Sequence, residues 1–377
     1  MSTRILHLHS TFAAGGKELR CVQLINAFGP SVDHTIVSGE PESIGASHHV
    51  SSTACVTYPR DFPALRGRPW PGRLRTMAKA MQGYDLILTY NWGAMDAVLA
   101  HTLFSGAFKL PPLIHHEDGF NEDEQDRLKS SRNIYRRLAL TRALRLVVPS
   151  RTLEKIALQA WAQPRSRVVM IPNGIDTAAF DHPQRPDALP GLVKREGDLW
   201  VGTLAGLRPV KNLPRLVRAF AALPEPWKLV IVGEGPEESA IRAEIARFGL
   251  ADRVMLPGFA ASPARFVGLF DIFALSSNSE QFPISVVEAM AAGLPVVAPA
   301  VGDIAGMVAT ENARYIAAPG DENALCQALT ELVSDSARRA AIGAANRVRA
   351  QAGYDQETMI AAYRQLYGTA IGLEQLG

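Results

Sequence analysis

Short apolar runs alternate with longer stretches of helical period along almost the whole chain. Residues 4–9, 34–37, 85–89, 113–116, 145–148 and 167–171 read as strands, and stretches such as 19–28 and 94–105 carry apolar positions at helical spacing. After Asn173-Gly174-Ile175-Asp176 the pattern lapses into a Pro-, Asp- and Gly-rich stretch between Asp181 and Asp198. A second series follows, with strands predicted at 199–204, 229–232, 254–256, 272–275 and 295–298 and helices between them. Strands that alternate with helices imply a parallel sheet covered on both faces. The expectation is an α/β chain of two doubly wound, Rossmann-like domains: 1–185, a linker 186–198, a second domain 199–355, and a C-terminal helical segment 356–377.

Composition agrees with two cores. The chain has 377 residues, more than one core usually supports, and 47% of them are hydrophobic. A formal charge of +2, with no aromatic residues interleaved among basic runs, argues against a nucleic-acid partner. Cys21, Cys55 and Cys326 lie far apart and form no C-x-x-C pair, so buried thiols in a reducing compartment are expected, and no structural zinc site. The first ten residues lack the apolar core of a signal peptide and no run approaches a membrane span; a cytoplasmic location is expected.

The most informative segment is Ser276-Ser277-Asn278-Ser279-Glu280-Gln281-Phe282-Pro283-Ile284-Ser285-Val286-Val287-Glu288. Glu280 falls on the loop at a strand's carboxyl end. Glu288 falls about one turn into a helix that Pro283 starts and Gly293-Leu294-Pro295 ends. The helix N-terminus that follows Phe282 and Pro283 offers unpaired N–H groups around Ile284 and Ser285 and partial positive charge, which suit a phosphate, and the carboxylates can accept from sugar hydroxyls. A sugar nucleotide presents both, although two solvated glutamates would have the same spacing. Gly15 and Gly16, in a strand-to-helix loop, permit close backbone approach to a phosphate or sugar, or form an ordinary turn. Gly233-Glu234-Gly235-Pro236 is a strand-end turn that either shapes its loop or touches the ligand. His115, His116 and Asp118 end another strand; adjacent strand residues point to opposite faces, and with no D-x-D pair in the chain no metal is expected.

The segment ending in Glu288-Ala289-Met290-Ala291-Ala292-Gly293-Leu294-Pro295-Val296-Val297 resembles the E-x7-E signature of retaining glycosyltransferases of family 4, the glycosyl transferases group 1. Gly15 and Gly16 resemble that family's donor-facing loop. Leu207-Arg208-Pro209-Val210-Lys211-Asn212 resembles its Arg-Leu-x-Pro-x-Lys-Asn loop, whose cations neutralise the donor diphosphate. Lys211 falls on the family lysine, Gly206 stands at the usual arginine position, and Arg208 is the candidate replacement. Gly233 sits in a turn like the family's, and Pro257, in Val254-Met255-Leu256-Pro257-Gly258-Phe259, in a stretch resembling the one that holds the nucleobase through backbone groups. A polysaccharide-associated subgroup carries His-Gly-Glu-His-Gly near the acceptor; His115 falls on its first His and Asp118 on its second, which leaves the register among His115, His116 and Asp118 open. Asn91, in Tyr90-Asn91-Trp92-Gly93, either lines the acceptor side or caps the next helix. Gly302-Asp303-Ile304-Ala305-Gly306 stands where relatives read Gly-Gly-x-x-Glu, so Gly306 lacks that acid.

The resemblance implies a GT-B architecture, two domains about a cleft with the last helix crossing back to the first. It implies a retaining, metal-independent, hexosyltransferase-like enzyme without a cofactor, moving a sugar from a UDP-, GDP- or ADP-sugar to a lipid-linked or oligosaccharide hydroxyl in cell-surface polysaccharide or glycolipid assembly. Glu288 would bind ribose hydroxyls, Glu280 the donor sugar, and Lys211, Arg208 and the N–H groups of Ile284 and Ser285 the diphosphate, with no protein nucleophile. The alternative is a non-catalytic sugar-nucleotide-binding or scaffold protein of the same fold, suggested by Gly206 and Gly306. A nicotinamide dehydrogenase is disfavoured, because no strand runs into G-x-G-x-x-G. Finally, Arg127, Lys129, Arg132, Arg136, Arg137, Arg142 and Arg145 fall within 19 residues that hold no acid. They form either a solvated helix face or a peripheral contact with anionic lipid on the membrane's inner face, which Trp70, Arg73, Arg75 and Lys79 would extend.

Overall fold

The computed structural model describes residues 2–120, 124 and 128–377; Arg127 therefore lies outside the described residues. Two compact units result, one of Met1–Pro172 with Met359–Gly377, the other of Asn173–Thr358. Residues 173–198, which include the Pro-rich stretch, are part of the second unit.

The first unit is built on β1 (Thr3–His9), β2 (Val32–Ser38), β3 (Cys55–Thr57), β4 (Leu86–Tyr90), β5 (Leu113–His116), β6 (Arg145–Val148) and β7 (Val168–Met170). All pair in parallel, in the order β3-β2-β1-β4-β5-β6-β7. The strands read as near-continuous apolar runs because helices cover both faces: every residue of β4 is buried. The apolar side chains accordingly divide into two clusters, one around Leu6, Met77, Val98 and Trp161, the other around Ile5, Ile25, Leu88 and Tyr367.

The second unit repeats the plan with β8 (Leu199–Leu204), β9 (Trp227–Val232), β10 (Val254–Gly258), β11 (Ile272–Ala274), β12 (Val296–Pro299) and β13 (Ile316–Ala317), parallel in the order β10-β9-β8-β11-β12-β13. The edge strands β3 and β13 escaped the sequence pattern because three and two residues are too short to show a period. Cys55 lies on β3 and is exposed, which corrects the expectation of three buried thiols; Cys21 is buried and Cys326 is half-buried. The C-terminal helix spans Gln356–Ala370, and its residues from Met359 onward belong to the first unit, where Tyr363 and Tyr367 are fully buried.

Each sheet reverses its strand order once, between β1 and β4 and between β8 and β11. In doubly wound sheets the crevice outside the strands' carboxyl ends at such a switch point is where ligands bind. The segments of Gly15 and Gly16, Asn91, Lys211 and Glu280 leave from these four strands, and those of His115 to Asp118 and of Gly233 from the neighbouring β5 and β9.

Candidate functional site

In the second unit the loop after β8 and the loop after β11 meet at the switch point. Lys211 Nζ donates to Glu280 Oε1 at 2.5 Å, and the Ser277 hydroxyl donates to the same oxygen at 2.6 Å. Around the pair the backbone is cross-tied: Asn278 N–H donates to the Val210 carbonyl at 2.8 Å, and the Ser276 hydroxyl to the Lys211 carbonyl at 3.0 Å. The Lys211 and Glu280 side chains are only 16% and 9% exposed, so this is a shielded, charge-assisted contact.

Two glycines hold these loops in place. Gly302 has φ +59°, and a Cβ there would lie 2.5 Å from the Glu280 carbonyl and 2.7 Å from that of Gln281. The chain after β12 thus presses on the loop that carries Glu280, and Asp303 N–H donates to the Gln281 carbonyl at 3.2 Å. Gly233 has φ +144°, and a Cβ there would sit 1.9 Å from the Ala205 carbonyl, so the strand-end turn is a backbone brace for the β8 loop. Pro257 lies within β10, next to Gly258. At Gly206 a Cβ would lie 3.6 Å from Arg208 Nε. The exposed Arg208 side chain therefore reaches over the position where a residue-206 side chain would begin.

The helix Ile284–Ala291 starts at Pro283, as expected from the sequence. Phe282 turns its ring edge-on to Tyr354, 5.6 Å between centroids, which anchors the loop to the core. Glu288 is half-buried on that helix, and among the described residues no hydrogen bond or ion pair reaches its carboxyl. Burial alone pushes its pKa up to about 7.

In the first unit the loops after β1, β4 and β5 converge. Gly15 ends the β1 loop and Gly16 begins the helix Gly16–Phe28; a Cβ on Gly15 would lie 2.8 Å from Glu18 Oε2, whereas Gly16 faces open space. The buried Glu18, ion-paired with Lys17, folds back against Gly15. Sequence reading missed it, although an acid in a helix's first turn is a signal. The β4 loop comes just as close: a Cβ on Gly93 would lie 2.1 Å from Ser10 Cβ.

Asn91 adopts φ +53°. Its side-chain oxygen accepts from Asp118 N–H at 2.7 Å while its own N–H donates to the His116 carbonyl at 2.8 Å. It ties the β4 loop to the β5 loop and does not cap the next helical turn. Asp118 is gripped by both terminal nitrogens of Arg20, one of them at 3.0 Å, and the guanidinium holds its carboxyl below the usual range against the opposing effect of burial.

His115 and His116 point to opposite faces of β5, and both are buried. His115 bonds Thr89 Oγ1 at 2.8 Å and faces Glu117, 3.5 Å away. His116 bonds the Tyr367 hydroxyl at 2.8 Å, and burial, then Arg20, lowers its pKa to about 3, so it is neutral. Asp118 is the one of the three that retains some exposure.

The basic run reads differently once folded. Arg136 is fully buried, its Nε 3.1 Å from Glu117 and its Nη1 3.4 Å from Glu124, with the guanidinium over the rings of Trp92, Phe120 and Trp161. Arg132 pairs with Glu124 at 2.9 Å. Arg73 pairs with Asp96 at 2.6 Å. Arg136 therefore cannot touch lipid: its partners are acids upstream of the run, which a count of charges within the run could not reveal.

Comparisons with known proteins follow the same division. The family described as Glycosyltransferase Family 4 matches residues 14–179, and that described as Glycosyl transferases group 1 matches residues 184–349. The chain belongs to this group-1, family-4 class of glycosyltransferases, with the GT-B fold. It is similar to the 2-deoxystreptamine glucosyltransferase of Streptomyces kanamyceticus, 30% identical over 53% of this chain and 54% of that one. It is also similar to the D-inositol 3-phosphate glycosyltransferase of Xylanimonas cellulosilytica, 26% identical over 97% of this chain and 91% of that one. Matches to the first five curated relatives span 44% to 60% of their lengths. Among solved structures, Anabaena HepE, determined in complex with UDP and glucose, shares the fold with a TM-score of 0.77 and 22% identity, over 97% of this chain and all of that one.

Proposed function

We propose that this glycosyltransferase moves a sugar from a nucleoside diphosphate donor to a hydroxyl acceptor with retention of configuration, in polysaccharide or glycolipid assembly. The observation that carries the proposal is the Lys211–Glu280 pair at the switch point of the second sheet, beside the start of the helix Ile284–Ala291. A cation and an oriented helix N-terminus are what a departing diphosphate requires, and no divalent ion is then needed at the leaving group. Lys211 neutralises the diphosphate, the N–H groups of Ile284 and Ser285 receive its oxygens, and Arg208 supplies the second cation from above Gly206. Glu280 receives donor-sugar hydroxyls as Lys211 turns to phosphate. Glu288, which has no protein partner among the described residues, receives the ribose hydroxyls. HepE with bound UDP supports a uridine donor.

The acceptor reading rests on the first unit, where Asn91 and Asp118 bring the β4 and β5 loops together. On the helix Ser130–Ala139, Arg137 with Ile134 and Leu138 at 60% and 58% exposure, together with Lys129 just before it, offer a basic and apolar face to the inner membrane surface. Calorimetric titration with UDP, GDP and ADP tests the donor reading. Binding of one of them by the wild type, weakened in Lys211→Ala, is expected; no binding of any would overturn it.

A further inference from the structure

Behind the glycine pair, in the first unit, lies a group of donors that the transfer reaction does not use. His7 and His9, two apart on β1, present their rings to the same face, and Cys21 on the helix Gly16–Phe28 packs against them. All three are buried, and their ligand-type atoms lie within 4.8 Å of one another. We propose that His7, His9 and Cys21 hold a zinc ion, with the Tyr90 hydroxyl as fourth donor.

Three observations carry this. First, His9 is fully buried, yet neither of its ring nitrogens has a hydrogen-bond partner. A buried imidazole without partners costs free energy that an ion in front of it would offset. Second, the spacing suits a tetrahedron. Zinc bonded at about 2.0–2.3 Å sets ligand-to-ligand edges of roughly 3.3–3.8 Å. His7 Nδ1 lies 3.4 Å from Cys21 Sγ and 3.1 Å from the Tyr90 oxygen, which is 3.7 Å from Cys21 Sγ. His9 stands at the remaining corner, with a ring nitrogen within 4.8 Å of the His7 and Cys21 donor atoms. Third, His7 is already oriented as metal-bound histidines are: its other nitrogen, Nε2, is hydrogen-bonded at 2.9 Å to His34 Nδ1, which fixes the ring with Nδ1 facing the donors.

The two imidazoles would coordinate through ring lone pairs and Cys21 as its thiolate. Binding therefore forms a Zn–S bond as the S–H bond breaks, and one proton leaves to solvent. The ion would be structural. It would clamp the carboxyl end of β1 to the helix after it, and so set the loop from Ser10 to Gly15 that ends in the glycine pair.

The test uses the full chain and metal ions alone. Wild-type protein titrated with Zn2+ against a chromogenic chelator should bind one ion and release one proton, and Co2+ in its place should give a thiolate-to-cobalt charge-transfer band. Cys21→Ser should abolish the band and weaken zinc binding by roughly a hundredfold or more, and His34→Ala, beyond the ligands, by about tenfold. If the Cys21 variant does not fold, the wild type decides alone: no cobalt–thiolate band, or no zinc bound, overturns the proposal. A Cys21→Ser protein that folds and binds zinc as the wild type does overturns it equally.

Discussion

Lys211 Nζ sits 2.5 Å from Glu280 Oε1, so the cation proposed for the diphosphate and the carboxylate proposed for the sugar are each other's partner. Removing either leaves the other shielded and unpaired. Lys211→Ala should therefore weaken nucleoside diphosphate binding by on the order of 1.5–3 kcal/mol, the range for a hydrogen bond to a charged group. Glu280→Gln should change that affinity little and lower turnover instead, because the nucleotide alone carries no donor sugar. Calorimetry with the nucleotide and rate measurements with the sugar nucleotide separate the two. Equal losses of nucleotide affinity would sink this division of labour.

Glu288 makes stability depend on pH in the direction opposite to a salt-bridged acid. Its folded-state pKa is about 7, above the roughly 4.3 of an unfolded glutamate, so between these values the native state holds a proton that the unfolded chain has lost. Stability is thus fully supported below about 4.3 and falls as pH rises towards 7. Glu288→Gln removes that slope and should be more stable than the wild type at pH 8 by on the order of 1–3 kcal/mol, a gap that narrows by pH 5 and closes below about 4.3. Urea denaturation at the two pH values reads the difference; parallel curves at both would refute the burial argument. The same variant should bind nucleotide more weakly, since an amide accepts ribose hydroxyls less well than a carboxylate.

The loop carrying Glu280 depends on Gly302, which lies against its backbone. Gly302→Ala forces a left-handed backbone on a side chain and drives its Cβ against the Glu280 and Gln281 carbonyls. It should cost roughly 1–3 kcal/mol of stability and weaken donor binding together, because the strain is relieved by moving that loop. Gly306→Ala, four residues on and facing open space, is the control. A Gly302→Ala protein as stable as the control would show that the loop yields freely.

How far the sequence disclosed all this depends on the range of each interaction. The strands over 113–116 and 199–204 matched their apolar runs, since a strand buried on both faces writes itself into consecutive positions. Glu280 and Lys211 were legible separately, each in a local pattern; that they are ion-paired 69 positions apart was not. The adjacent His115 and His116 were expected to face opposite ways, and do, but only the fold reveals that Tyr367, far along the chain, covers one of them. The partners of Arg136 were hidden for the same reason: the acids that bury it precede the basic run instead of falling within it.

That burial reshapes the membrane reading into a sharper test. Arg136→Ala should destabilise the first unit by about 3–5 kcal/mol, because it strands Glu117 and Glu124 in the interior without their cation. It should not be used to probe lipid. Arg137 and Arg142 are exposed, and Ile134 and Leu138 display apolar side chains one helical turn apart. Each cation near an anionic surface contributes about 1 kcal/mol, so reversing Arg137 and Arg142 to Glu should lower partition onto phosphatidylserine-containing vesicles by about thirtyfold or more while leaving the urea midpoint unchanged. Raising salt should weaken wild-type flotation through screening, and Leu138→Ser should weaken it without altering the salt dependence. Equal binding to neutral and anionic vesicles, or flotation indifferent to the double reversal, would leave this helix an ordinary solvated face.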